Sequence, residues 1–233
     1  ELLEFVTPFS GSMASSAYGM FQHPLVISRI YSLDRCAYIH QMLDDRQEIL
    51  RGHEEQGDLQ QAVMTHEKPF RMQVLTEYEH RMSDTVFWRT FGDAWMSSEN
   101  LWQDMRLIGR MLSSPRPNRE QMMTLEERQA LKRMPDTLTI YRGYSGEGTW
   151  RGWSWTIDRE KGEWFARRPP SPLDDAPTDP TLVEATANKS DVIAYLTDRC
   201  ESEIIVDPRK VKIVSTRVLK PKKTSRGRKP MPK

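Results

Sequence analysis

Two hydrophobic periods divide this chain, and the point where one gives way to the other constrains its fold more than any single residue. Before Pro135, apolar residues recur every three or four positions. Leu75, Tyr78, Met82 and Val86 mark one amphipathic helix, and Leu101, Met105, Ile108 and Leu112 mark another. Pro24 to Leu50 reads as helix through Ile30, Leu33, Ala37 and Leu43, with Pro24 in the first turn and Gly52 as the C-cap. Residues 1–23 show no clear period and read as an irregular lead-in. Ser113–Asn118 breaks the pattern, and Thr124-Leu-Glu-Glu127 is a capping box opening a short helix that Pro135 closes.

After Pro135 the signal becomes β-rich. Thr137–Gly143, Gly152–Thr156, Leu182–Ala187, Val192–Leu196, Glu203–Val206 and Val211–Val218 are strand-length runs of β-branched and aromatic residues. Asp158 caps a helix expected over Arg159–Arg168. The proline-rich stretch Pro169–Pro180 carries no helix or strand signal. Helices first and strands later predict an α+β fold. The expected organisation is a helical region over 1–135, a compact mixed or antiparallel β-rich core over 136–219, and a basic tail over 220–233.

Composition narrows the classes. Charged residues at 29% and hydrophobic residues at 37% describe an ordinary globular chain. No apolar run approaches the roughly 18 residues that span a bilayer, so no membrane role is expected. The opening Glu1-Leu-Leu-Glu-Phe has no basic n-region, so no secretory signal is expected, and the chain reads as cytoplasmic or as acting inside a host cell. Cys36 and Cys200 read as reduced thiols. The histidines (23, 40, 53, 66 and 80) form no i, i+4 pair, so no metal is expected. Met72, Trp88, Trp95, Trp102, Met105, Met111, Met122 and Met123 read as core filling.

The formal net charge of +1 conceals an asymmetry. Eight basic residues and no acid lie between Arg217 and Lys233, which leaves −7 on residues 1–216. Such a tail suits nucleic acid or an acidic partner.

Three strand-borne clusters carry candidate chemistry. Alternation on the first puts Arg142 on the face of Leu138 and Ile140. The second offers Ser154 and Thr156. On the third, Glu201, Glu203 and Ile205 are expected on one face, which sets two carboxylates side by side. Arg-Gly after a strand, then Ser-x-Thr, then Glu-x-Glu resembles the arginine–serine–glutamate class of mono-ADP-ribosyltransferases, such as toxin and phage arginine-modifying enzymes, over about Leu138–Val214.

The resemblance implies NAD as donor substrate, an ADP-ribosyltransferase-like core, and transfer of ADP-ribose to a macromolecular acceptor, protein arginine first, with release of nicotinamide. It implies Glu203 as the carboxylate beside the reacting ribose, Glu201 as the acceptor carboxylate, and Arg142 on the pyrophosphate. Gly143 would receive nicotinamide at its backbone, and Ser154 and Thr156 would hold Glu203 and the nicotinamide pocket. An aromatic ring should stack on nicotinamide. If Ser154 and Thr156 face the cleft, Trp153 and Trp155 face away, which favours Trp164 or Phe165. The alternatives are an NAD glycohydrolase, with water as acceptor, and a non-catalytic binding protein whose basic tail contacts nucleic acid. Deleting Lys220–Lys233 is expected to leave NAD cleavage intact; if the tail steers an acidic or nucleic-acid partner, transfer should also weaken and lose its salt sensitivity, whereas a merely solubilising tail would leave transfer unchanged. Unfolding of the shortened chain in circular dichroism would contradict this reading.

Overall fold

The computed structural model describes residues 6–8, 19–30, 33–98, 101–146, 148–169, 178–198 and 201–220. Expectations for residues 1–5 and 9–18, for 170–177, for Cys200 and for the tail beyond Lys220 lie outside these. Among the described residues the chain is mixed α+β, with seven α-helices and two antiparallel sheets. It divides into two compact units, Glu1–Thr124 and Leu125–Lys233. No helix among the described residues is long and apolar enough to cross a membrane.

The first unit opens with a three-stranded sheet, not with an irregular segment followed by a helix. Its strands are β1 (Val6–Pro8), β2 (Gly19–His23) and β3 (Val26–Ile30), in that order. Pro24 and Leu25 form a tight turn, with His23 opposite Val26. The fixed φ of proline suits a turn as well as a first helical turn, and the β-branched pair Val26-Ile27 tips this stretch toward strand. His23 Nδ1 closes the turn by accepting the Leu25 N–H at 3.1 Å. Helix α1 then runs Leu33–Glu55, past the Gly52 expected to end it. Phe21, Leu25 and Val26 pack on Ile39, with Met42, Leu43 and Leu50 around them.

Next come α2 (Leu59–Met64), α3 (Arg71–Tyr78), α4 (Asp84–Ser97) and α5 (Met105–Leu112). The unbroken period through Leu75 and Val86 is divided between α3 and α4. Ser83 is extended and caps α4 by accepting the Val86 N–H, so the cap overrides the continuing apolar stripe. Leu101–Asp104 forms a 3-10 turn ahead of α5. Phe87, Trp88 and Phe91 are fully buried, and Met72, Met111, Met122 and Met123 fill the core as expected.

The second unit begins at α6 (Leu125–Arg133), which clusters with the later strands and not with the preceding helices. Its sheet comprises β4 (Thr137–Tyr144), β5 (Ser154–Thr156), β6 (Thr181–Asn188), β7 (Val192–Leu196), β8 (Glu203–Val206) and β9 (Lys212–Val218). The strand order is β7-β8-β5-β4-β6-β9. Leu138 faces Ala187 and Ile140 faces Ala185, so the buried positions of β4 and β6 share one face. On the other face lies α7 (Arg159–Arg167), where Ala166 packs with Leu182, Leu219 and Tyr141. Asp158 caps α7 by accepting the Glu160 and Lys161 N–H groups.

Two helical glycines allow opposite predictions. At Gly52 a Cβ would meet nothing within 4 Å, whereas at Gly92 in α4 it would lie 2.6 Å from the Met122 carbonyl oxygen. Gly52→Ala should stabilise the first unit by about 0.5–1 kcal/mol. Gly92→Ala should cost about 1–3 kcal/mol, because the backbone must part. Urea titration checks both, and a shared sign would contradict this packing.

Candidate functional site

The site is built where the large sheet splits. Strands β4 and β5 meet at one register pair, Tyr141 opposite Thr156. Continued pairing would bring Gly143 opposite Ser154, but there the strands part. The Arg142 guanidinium reaches across the opening and donates from Nη1 to the Ser154 carbonyl at 2.5 Å and from Nε to the Thr149 carbonyl at 3.3 Å. A side chain thus satisfies backbone acceptors left by the split. Gly152 makes room for it, since a Cβ there would lie 2.3 Å from Nη2.

Burial pushes the Arg142 pKa below the ordinary arginine value, and the nearby Glu203 carboxylate pulls it back up. Arginine stays cationic in proteins. The site therefore holds a fixed positive charge beside a buried carboxylate.

Glu203 opens β8, opposite Thr156 on β5 and Leu196 on β7, and is 8% exposed. The Ser154 hydroxyl donates a short hydrogen bond to Glu203 Oε1. That bond fixes the carboxylate's direction.

Glu201 reaches the same pocket by a different route from the one expected. The strand begins only at Glu203, and Ser202 between the two glutamates has φ +46°. Pleat alternation therefore does not place Glu201; a left-handed residue turns the chain. Its carbonyl accepts from the Thr156 hydroxyl at 2.7 Å, and the next carbonyl, that of Ser202, accepts the Ile157 N–H at 3.2 Å. Thr156 Oγ1 also accepts the Asp158 N–H at 3.0 Å, so one hydroxyl joins the Glu201 turn to the cap of α7.

Tyr141, Arg142, Gly143, Ser154, Trp155, Thr156, Phe165, Glu201 and Glu203 line one pocket of about 190 Å³. Every expected site residue except Trp164 is among them. Trp164 is 51% exposed, lies outside this pocket, and packs edge-to-face on Phe165 with ring centres 5.0 Å apart. Trp155, expected to face away, lines the pocket too, and its Nε1–H donates to the Gly152 carbonyl at 3.0 Å.

Gly143 is needed for packing as well as for the pocket. A Cβ there would lie 2.0 Å from the Gly162 carbonyl oxygen and 2.3 Å from the Ala166 nitrogen. The close approach of α7 to β4 requires a glycine at this position. It also brings Phe165, the neighbour of Ala166, to the pocket wall.

Sequence reasoning missed Thr149 and Gly152 as the seat of Arg142. The available signal was a glycine just ahead of a short strand, which marks a close approach. Groups of three or more potential metal ligands are absent among the described residues. Compared with protein-family models, characterised proteins and solved structures, the chain gives no match.

The Gly152–Arg142 contact is testable by a double-mutant cycle. Gly152→Ala and Arg142→Ala should each destabilise the second unit. In the double variant the methyl group fills space the guanidinium has left, so the two costs should fall short of additivity by about 0.5–3 kcal/mol. Additive costs in chemical denaturation would refute the contact.

Proposed function

We propose that this chain is an NAD-dependent mono-ADP-ribosyltransferase that moves ADP-ribose from NAD to a macromolecular acceptor, protein arginine first, and releases nicotinamide. One observation carries the reading. Arg142, Ser154, Glu201 and Glu203, separated by up to 61 positions in sequence, line a single pocket, with the Ser154 hydroxyl directing the Glu203 carboxylate into place. An ADP-ribosyltransferase-like core is part of the proposal, supported by the antiparallel sheet that opens between β4 and β5 at this pocket.

The chemistry fits these groups. Breaking the bond between the ribose carbon and the nicotinamide nitrogen sends the electron pair to nicotinamide and leaves positive charge on the ribose. A preorganised carboxylate stabilises that charge as it develops. Glu203 has the burial and the hydrogen bond for this work. The lone pair of an acceptor guanidine nitrogen then forms the new bond, and its proton passes to Glu201. A carboxylate also grips guanidinium in a bidentate way. Phe165 offers an aromatic wall for the nicotinamide ring.

The fixed charge of Arg142 favours the pyrophosphate end of the donor. Its Nε and one Nη1 hydrogen are engaged with backbone, so the remaining hydrogens on Nη1 and Nη2 would reach phosphate. The pocket is smaller than the ~300–1,000 Å³ clefts that enclose drug-sized ligands. It suits the reacting end of NAD.

Incubation with NAD labelled on its adenylate half, with protein targets present, tests the proposal. Label on protein supports it; nicotinamide release without label means hydrolysis; label on nucleic acid redirects the acceptor. Glu203→Gln should lower transfer and hydrolysis together by about 10²–10³-fold, as loss of an electrostatic stabiliser does. Glu201→Gln should abolish arginine modification yet retain NAD hydrolysis. Two folded variants with wild-type transfer would show that neither carboxylate is catalytic.

A further inference from the structure

Glu127 lies in α6, the helix ahead of the large sheet, and is only 6% exposed. A buried carboxylate needs strong hydrogen-bond partners. Its Oε1 accepts twice from one residue, from the Thr197 backbone N–H at 2.7 Å and from the Thr197 hydroxyl at 3.1 Å. Thr197 directly follows β7, and Glu203 opens β8. Leu196 pairs with Glu203, so Thr197–Ser202 is the connection whose base is that pair.

The two ends of this connection are tied to different elements. Thr197 is held by α6 through Glu127, while Glu201 and Ser202 are held by β5 and its continuation through Thr156 and Ile157. The Thr197 N–H goes to a carboxylate on α6, and the chain returns to β8 through left-handed Ser202. Glu201, next to Ser202 on that return, lines the pocket.

We propose that Glu127 is a positioning residue for Glu201, and that it governs the use of the acceptor and not the cleavage of NAD. The inference rests on the transferase reading above. Its logic is geometric. Glu203 sits in β8 between two neighbouring strands and is directed by Ser154, so it keeps its place when Thr197 is released. Glu201 lies on the turn itself. Freeing Thr197 removes one of the backbone ties that flank Glu201, so the acceptor carboxylate is presented less precisely while the donor carboxylate keeps its place.

Two measurements on the full chain separate this proposal from the reading beneath it. The first is amide hydrogen exchange of the free protein. Glu127→Leu should speed exchange at the Thr197 N–H, and at the Ile157 N–H that the Ser202 carbonyl accepts, by about tenfold or more, with the β4–β6 ladder unchanged. Glu127→Gln keeps an acceptor oxygen and should stay near wild type. Thr197→Val keeps the N–H but loses the hydroxyl, and should fall between the two; it also serves if Glu127→Leu folds poorly. Unchanged exchange in both Glu127→Leu and Thr197→Val, or acceleration spread evenly over the unit, would refute the tether.

The second measurement is kinetic. With a small guanidino acceptor, Glu127→Leu should raise the acceptor KM and the ratio of hydrolysis to transfer, each by about tenfold, with the NAD KM unmoved. Glu127→Gln should restore both. Equal losses of transfer and hydrolysis would assign Glu127 a merely structural role. A wild-type protein that leaves NAD intact sinks the transferase reading and the acceptor role with it, whereas the tether stands or falls on the exchange measurement alone.

Discussion

The bond from Arg142 to the Ser154 carbonyl is the interaction on which the site depends. An antiparallel sheet ordinarily satisfies its backbone groups by continuing its ladder. Between β4 and β5 the ladder stops after Tyr141 and Thr156, and exposed acceptors would invite either re-pairing or water. A planar guanidinium with several donors can occupy that gap and hold the strands apart. It brings a permanent charge with it. The same residue that opens the sheet thus sets the field in which Glu203 sits, and the split would not be stable with an uncharged, single-donor side chain in its place.

Three glycines translate this opening into a pocket. Gly152 lets the guanidinium lie against the backbone ahead of β5. Gly143 lets α7 approach β4 until helix backbone nearly touches strand backbone. Gly162 does the same from the helix side, since a Cβ there would lie 2.9 Å from both Tyr141 Cβ and Leu182 Cδ1. Close packing is unforgiving of added methyl groups. Sites as dissimilar as a helix face and a strand edge therefore depend on one another: Phe165 lines the pocket because Gly143 and Gly162 let its helix come down.

Much of the second unit was legible in sequence because its signals are local. Ile140, Ile204 and Ile205 alternate or run together in strands flanked by turn formers, Asp158 announces α7, and the candidate site residues lie on or beside those strands. What was not legible is set by competition between elements. Pro24 is compatible with a helix start or a turn, and only packing of Phe21 and Val26 on α1 selects the hairpin. Ser83 cuts an apolar stripe that looks continuous, because a satisfied N-cap outweighs one more turn of weakly amphipathic helix. Glu127 fits a capping-box pattern, yet its carboxylate also reaches Thr197, 70 residues later, and no local pattern encodes that contact. Glu201 shares a pocket with the other candidates by a geometry other than pleat alternation, since φ at Ser202 is invisible to period-2 counting.

That last difference bears on how two like charges can share a pocket. Had Glu201 and Glu203 both stood on one strand face, each would have been fixed by the same pleat, and neither could shift without the other. Instead Glu203 is held through its carboxylate, by the Ser154 hydroxyl, while Glu201 is held through its backbone carbonyl, by Thr156. A carboxylate anchored by its own oxygens is a rigid electrostatic partner, suited to a charge that appears at a fixed place. A carboxylate whose backbone alone is anchored keeps its side-chain torsions, suited to a group that must meet an incoming molecule. The cation of Arg142 lies near Glu203, and the attraction between them favours the charged form of the arginine. In the proposed transferase, a division of labour between donor and acceptor chemistry would follow from which atom of each residue the fold restrains.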